Sequence, residues 1–169
     1  MWSGKFNTMK QTSKQGKTKK APKRKSTTRS NYGEFGRQFL EFKDKPVEAI
    51  RFLRKRKSGE CLKAIKVPTI GYVDFVWGEN DKNNKGYGLK HIIEKHGKGI
   101  EALGYKIEQF IPIVLLYGIS SMKSEDNRCI LEGKCFRAVV ATNYRGKNKQ
   151  WLLTAFDVTK KTVKRRSKK

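Results

Sequence analysis

The amino-acid sequence predicts an α+β fold in which N-terminal helices pack on a small antiparallel β-sheet with a helical insert, flanked by disordered basic tails. Three observations predict it. Charge is concentrated at the two chain ends. Helical apolar spacing comes early and again in the middle. Short β-branched or aromatic runs follow, the last three joined by turns rich in Gly and Lys, as in an antiparallel succession.

The chain has 169 residues, with 40 Lys and Arg against 15 Asp and Glu, a formal net charge of +25. A small soluble domain usually carries a net charge of magnitude ~2–8. So large a surplus repels itself unless a polyanion absorbs it. Ten of the basic residues and no acid lie in residues 1–30, and seven and no acid in residues 159–169. Such runs cannot bury enough apolar surface to offset their ordering entropy. The expected organisation is a polybasic disordered tail over 1–30, one domain over 31–158 and a second tail over 159–169. The expected partner is a nucleic acid, RNA or DNA, with an anionic membrane surface a weaker alternative. Membrane insertion is not expected, because the longest apolar run, Phe110 to Tyr117, is eight residues and contains Pro112, against the ~20 needed to span a bilayer. No secretory signal is recognisable. Cys61, Cys129 and Cys135 therefore read as reduced thiols of a cytoplasmic protein.

The elements follow in order. Tyr32, Phe35, Phe39, Leu40 and Phe42 are spaced like a short amphipathic helix. Pro46 to Lys57 is a second helix, with Pro46 in its first turn, Ala49, Ile50 and Leu53 on one face, and Arg51 and Arg54 in a basic stripe opposite. Cys61–Val67 and Tyr72–Trp77 read as strands. Alternation along the second turns Val73 and Phe75 inward and Asp74 toward solvent. Gly78 to Gly88 reads as a loop, Leu89 to His96 as a helix stopped at Gly97, and Ile107 to Tyr117 as a core helix. Strands over Arg128–Glu132, Phe136–Asn143 and Gln150–Asp157 close the domain.

The chain has two histidines, His91 and His96. Five residues at ~100° each place them ~140° apart on a regular helix, so only unwinding near Gly97 would bring the second imidazole round. Zinc-binding helices use i and i+4 spacing, and no third ligand is apparent, so neither a metal nor any cofactor is expected. Metal-free RNA cleavage suits these residue types better. RNA supplies its own nucleophile, the 2′-hydroxyl, and imidazole serves as base or acid near neutral pH. Lys90, Lys95, Lys98 and Arg137 would supply cationic stabilisation to a phosphate. Tyr87 would stack on a base. Trp77 and Trp151 read as core.

Gly71-Tyr-Val-Asp-Phe-Val-Trp-Gly78, Gly88-Leu-Lys-His-Ile-Ile-Glu-Lys-His-Gly97 and Trp151-Leu-Leu-Thr-Ala-Phe156 together resemble the phage and prophage toxin branch of the ribonucleases grouped as barnase, EndoU, colicin and RelE-like. The resemblance runs from about Tyr32 to Asp157. It implies a metal-independent endoribonuclease, with helices preceding a small antiparallel sheet whose concave face binds RNA, tRNA among the candidate targets. It also implies delivery as a toxin domain against a competing bacterium, or action within the phage's host, and a neutralising immunity protein or antitoxin. Carried over, the catalytic residues are His91, His96, Thr154 and Arg137, with the Thr154 hydroxyl holding a phosphate or base. Residues 81–85 and 120–127 look like loops added to the family pattern. The sequence thus reads as an endoribonuclease that leaves a 2′,3′-cyclic phosphate, with Lys90, Lys95, Lys98, Tyr87, Arg51 and Arg54 binding RNA. The alternative is a non-catalytic basic RNA- or DNA-binding protein.

Overall fold

Pro46, with its fixed φ and no N–H to leave unpaired, opens helix α1 (Pro46–Arg56), which ends on Lys57 in the left-handed region. The computed structural model describes residues 31–83, 85–123 and 127–158. The basic tails, and the disorder expected of them, lie outside the described residues.

Around α1 the chain builds β1 (Tyr32–Gly33), β2 (Gly36–Phe39), β3 (Glu60–Val67) and β4 (Gly71–Val76), then a small hairpin of β5 (Glu79–Asn80) and β6 (Gly86–Tyr87). A continuous helical segment follows: α2 (Gly88–His91), a π-helical turn over Ile92–His96, and α3 (Gly97–Ala102). Helix α4 (Ile107–Tyr117) runs through Pro112. Strands β7 (Ile119–Lys123), β8 (Arg128–Glu132), β9 (Phe136–Tyr144) and β10 (Lys147–Asp157) complete the order.

The architecture departs from the expected one. Eight strands form a single mixed sheet in the order β1-β2-β3-β4-β10-β9-β8-β7, rather than a small antiparallel one under N-terminal helices. Two of its pairings are parallel, β2 with β3 and β4 with β10. The aromatic stretch expected to be a helix, Tyr32 to Phe42, instead forms β1 and β2 and a turn. Its apolar residues suit either period, and pairing of Gln38 and Phe39 to Glu60 and Cys61 decides for strand. Two expected loops also carry strands: residues 78–88 hold the β5–β6 hairpin, and Ile119–Lys123 pairs with β8 at the sheet edge. The helix expected to stop at Gly97 continues beyond it.

Ala49, Ile50 and Leu53 of α1, Leu89, Ile92 and Ile100 of the histidine segment, and Phe110, Ile111, Val114 and Leu115 of α4 share one core with Val73, Phe75, Leu131, Val140 and Leu152 of the sheet. The buried Glu108 of α4 receives Arg54 at 3.1 Å and Arg51 at 3.8 Å, so part of the α1 basic stripe ties the two helices together. A second, smaller cluster gathers Val76, Ala141 and Trp151 with Phe35, Tyr87, Tyr144 and Leu153. No helix among the described residues is long and apolar enough to cross a membrane, and all three cysteines are free thiols.

Gly88 sets where the histidine segment begins. Its φ is +76°, and a Cβ there would lie 2.8 Å from the Val76 carbonyl oxygen and 2.9 Å from that of Trp77. A side chain would thus meet both a left-handed backbone and the end of β4. Gly88→Ala is expected to lower the unfolding free energy by about 1–3 kcal/mol, read from urea denaturation monitored by circular dichroism.

Candidate active site

The π-helical turn at Ile92–His96 brings the two imidazoles together. A regular helix would carry residues five apart to different sides. An i→i+5 turn takes in one extra residue and restores them to the same side. The ring centroids of His91 and His96 lie 5.3 Å apart, nearly perpendicular at 77°. The expected unwinding at Gly97 is therefore replaced by a widening within the helix itself, one turn earlier.

Asn80 and Glu94 together fix the protonation pattern of His91. The imidazole Nδ1 lies 2.9 Å from Asn80 Oδ1, and Asn80 Nδ2 donates to Glu94 Oε2 at 2.9 Å. An ionised carboxylate only accepts, so Glu94 turns the amide NH2 toward itself and leaves the Asn80 oxygen facing the imidazole. His91 Nδ1 must then carry the proton, and in the neutral ring Nε2 holds the free lone pair. Asn80 comes from the β5–β6 hairpin, which is closed at its tip by Asp81 N–H to the Lys85 carbonyl at 2.9 Å. The stretch Gly78 to Gly88, expected as a plain loop, thus supplies a residue of the site.

His96 stacks on Phe156 of β10, centroids 5.1 Å apart at 29°. Phe156 is opposite Arg137 in the β9–β10 ladder, and Thr154 is two residues earlier on β10 with no irregularity between. Directly opposed residues and residues two apart share a side of the sheet. Thr154 and Arg137 therefore lie on the side that carries the His96 stacking partner. Arg137 is mostly buried and ion-paired with Glu132. Thr154 Oγ1 is buried without a hydrogen-bond partner among the described residues. A hydroxyl in that position usually has an explanation in something it binds.

Of the residues expected to bind RNA, Arg54 and Lys90 meet in one groove of about 610 Å3, with Lys57, Trp77, Ile93 and Glu94 as further walls. Lys90 N–H also bonds the Trp77 carbonyl at 2.8 Å. Lys95, on the π turn, lowers the proton affinity of both histidines by its charge. Lys98 is exposed on α3. Tyr87 is packed against Phe35 and Trp151, at 5.7 and 5.3 Å, so its ring is committed to the second cluster. Arg51 keeps much of its side chain exposed beside Glu108. Among the described residues no group of three or more His, Cys, Asp or Glu gathers into a metal-binding set. Asn80, Glu94 and Phe156 were missed in the sequence. Glu94 could have been found as the carboxylate three residues after His91, on the same helical face.

Burial, the neighbouring His91 and Lys95 push the His96 pKa down to about 4. Burial and Lys95 also lower that of His91. Both rings are thus neutral at pH 7. In the unfolded chain a histidine takes up a proton near pH 6.5, whereas His96 in the folded chain does so near 4. The unfolded state therefore gains protons first as pH falls, and stability present above 6.5 is lost between those values. The thermal midpoint is expected to fall more steeply from pH 6.5 to 4 in the wild type than in His96→Gln, as read by thermal denaturation at matched ionic strength.

A family model described as phage-Barnase-EndoU-ColicinE5/D-RelE like nuclease1 matches residues 64–162. The match covers more than half of the chain, from β3 through the histidine segment to the end of β10. No curated protein and no solved structure gives a significant match. The three motifs of the sequence and the family match agree, and the chain belongs to the phage-Barnase-EndoU-ColicinE5/D-RelE like nuclease family.

Proposed function

We propose that the chain is an endoribonuclease that cleaves RNA by attack of the 2′-hydroxyl on the adjacent phosphorus, leaving a 2′,3′-cyclic phosphate and a free 5′-hydroxyl. The observation that carries this reading is the His91–His96 pair, 5.3 Å between ring centroids, with the His91 tautomer set through Asn80. His91 Nε2 takes the 2′-hydroxyl proton as the new P–O2′ bond forms. Protonated His96 gives its proton to the leaving 5′-oxygen as the P–O5′ bond breaks. Arg137 stabilises the charge that grows on the phosphoryl oxygens, and the Thr154 hydroxyl donates to one of them. Arg54 and Lys90 hold flanking phosphates, in the groove they share.

The pair works with one proton between its two rings, since their mutual repulsion opposes a second. The incoming phosphate raises the proton affinity of His96, and the stacked Phe156 ring keeps the imidazole in place. Glu94 and Asn80 act as positioning residues through His91.

Purified protein is expected to cleave total bacterial RNA in EDTA and to yield cyclic-phosphate ends. His91→Ala and His96→Ala should each reduce the rate by about 100- to 10,000-fold, and an oligonucleotide with 2′-deoxyribose at the scissile position should remain intact. Cleavage by the double variant equal to that of the wild type would reject the assignment. Intact RNA in every reaction, with all variants binding alike, would instead favour a phosphate-binding protein without catalysis.

Because both histidine pKa values are lowered, kcat/KM, which reports the free protein, should peak on the acidic side of about 6.5 and decline as pH rises and His96 loses its proton. Asn80→Ala should lower kcat and alter this pH profile with little change in the salt dependence of RNA binding. A uniform loss with the profile unchanged would leave Asn80 a structural residue only.

A further inference from the structure

A second cavity, of about 810 Å3, lies between the β1–β2 arm and strands β4 and β10, and Tyr32, Tyr72, Tyr144, Asp74, Lys149 and Gln150 are among its walls. This is within the size range of small-molecule sites. Its base is an organised polar cluster. Lys149 Nζ lies 2.7 Å from Oε2 of the fully buried Glu60 and 3.2 Å from Asp74 Oδ2, and Gln38 Nε2 donates to Glu60 Oε1 at 2.9 Å. Burial raises the Asp74 pKa, with the Lys63 N–H and Lys149 acting against it. Asp74 does sit on the face opposite Val73 and Phe75, but it meets this cluster rather than the solvent expected from the alternation.

Three further features point to a ligand. Gln150 Oε1 is buried and has no hydrogen-bond partner among the described residues. Tyr72 is ringed by ammonium groups, with Lys43, Lys63 and Lys66 at 5.4, 5.9 and 6.0 Å from its centroid. Lys63 itself has φ +53° in an irregular stretch of β3, and its N–H is held by Asp74 Oδ1 at 2.7 Å. Bulges and left-handed non-glycine residues of this kind collect where a strand re-aims a side chain for function.

A phosphate alone would need the lysines but neither the tyrosines nor a buried carboxamide. An acidic peptide would not call on an aromatic platform. A nucleobase uses all three: a ring to stack on, a hydrogen-bonding edge to be read, and phosphates on either side. We propose that this cavity is a nucleobase subsite for single-stranded RNA, in which Tyr72 stacks on the base, Gln150 reads its edge, and Lys43, Lys63 and Lys66 take the flanking phosphates. The subsite rests on the nuclease reading and extends it to substrate selection. Tyr144, in its wall, packs on Phe35 at 4.8 Å, and Phe35 packs on Tyr87, the residue before α2. One aromatic cluster therefore separates the subsite from the start of the histidine segment.

The test is equilibrium binding by fluorescence anisotropy, with the full chain carrying His91→Ala and 5′-labelled ten-nucleotide homopolymers of A, C and U. The affinities are expected to differ at least about fivefold between bases. Gln150→Leu should compress that difference to within about twofold, and Tyr72→Ala should weaken binding of the preferred homopolymer by about 5- to 150-fold, the range for one lost stacking contact. Circular dichroism and thermal denaturation confirm that each variant is folded. Should Gln150→Leu not fold, Tyr72→Ala, at a partly exposed position, decides the matter alone. Equal binding of all three homopolymers by the His91→Ala chain, or unchanged binding by Tyr72→Ala, overturns the subsite. Cleavage by the wild type is measured separately. Cleavage without base discrimination sinks the subsite alone, and discrimination without cleavage sinks the nuclease reading and leaves an RNA-binding cavity.

Discussion

Two side chains five residues apart on a helix can act on one phosphodiester only if the helix takes in an extra residue between them, and the π turn at Ile92–His96 does this. The turn is intrinsically less favourable than regular helix, which is why such turns are short and cluster at functional sites. Here the surroundings hold it. Ile92 is fully buried in the main core, Gly88 locks the entry of α2 under the ends of β4, and Phe156 receives the displaced His96 ring. At the exit, a Cβ on Gly99 would collide with the Asp157 carboxylate, so α3 lies tightly on the end of β10. Remove any of these supports and the easier arrangement is a regular helix with the imidazoles on different sides.

The N-terminal arm has a comparable role on the other cluster. β1 and β2 add only a few residues to the sheet edge, yet Phe35 at their turn contacts Tyr87, Tyr144 and Trp151. Lys147 to Glu34 at 2.8 Å pins the same turn, and its hydrogen bond, helped by its charge, holds the Glu34 carboxyl below the usual range. The arm thereby walls the Gln150 cavity and shields the Glu60–Lys149–Asp74 cluster. Those charges would otherwise be cheaper to hydrate than to pair. Burial alone would depress Lys149, but Glu60 and Asp74 outweigh it and its pKa rises.

Much of this was legible in the residues, and the exceptions share a cause. Helices α1 and α4 and strands β8 to β10 follow from local period and local breakers. The Tyr32–Phe42 stretch was misread because its aromatic spacing fits a helix in isolation, and only the distant edge of β3 makes it a strand. The eight-stranded mixed sheet depends on the same long-range pairings, including β4 beside β10 with Trp151 opposite Asp74. At the site, the histidines are legible as chemistry and Thr154 only through the family resemblance, but the meeting of the two imidazoles is not legible, since periodicity assumes a regular helix and the π turn breaks it. Asn80 was hidden because it lies in what reads as a polar loop. Nothing in its local sequence reports that Glu94, fourteen residues away, orients its amide.

The neutral histidines have a local electrostatic cause. Burial first, and then the charge of Lys95 beside both imidazoles, lowers the proton affinity of the pair, with His91 adding to the effect on His96. In the reading proposed above, the basic surplus of the chain would steer a polyanion toward the groove that Arg54, Lys57 and Lys90 share. In the endoribonuclease reading, a phosphodiester beside His96 offsets part of the repulsion from His91 and Lys95 that disfavours its proton, while burial still acts against it. In that reading the acidic pH dependence belongs to the two rings and their immediate neighbours rather than to the net charge of the whole chain.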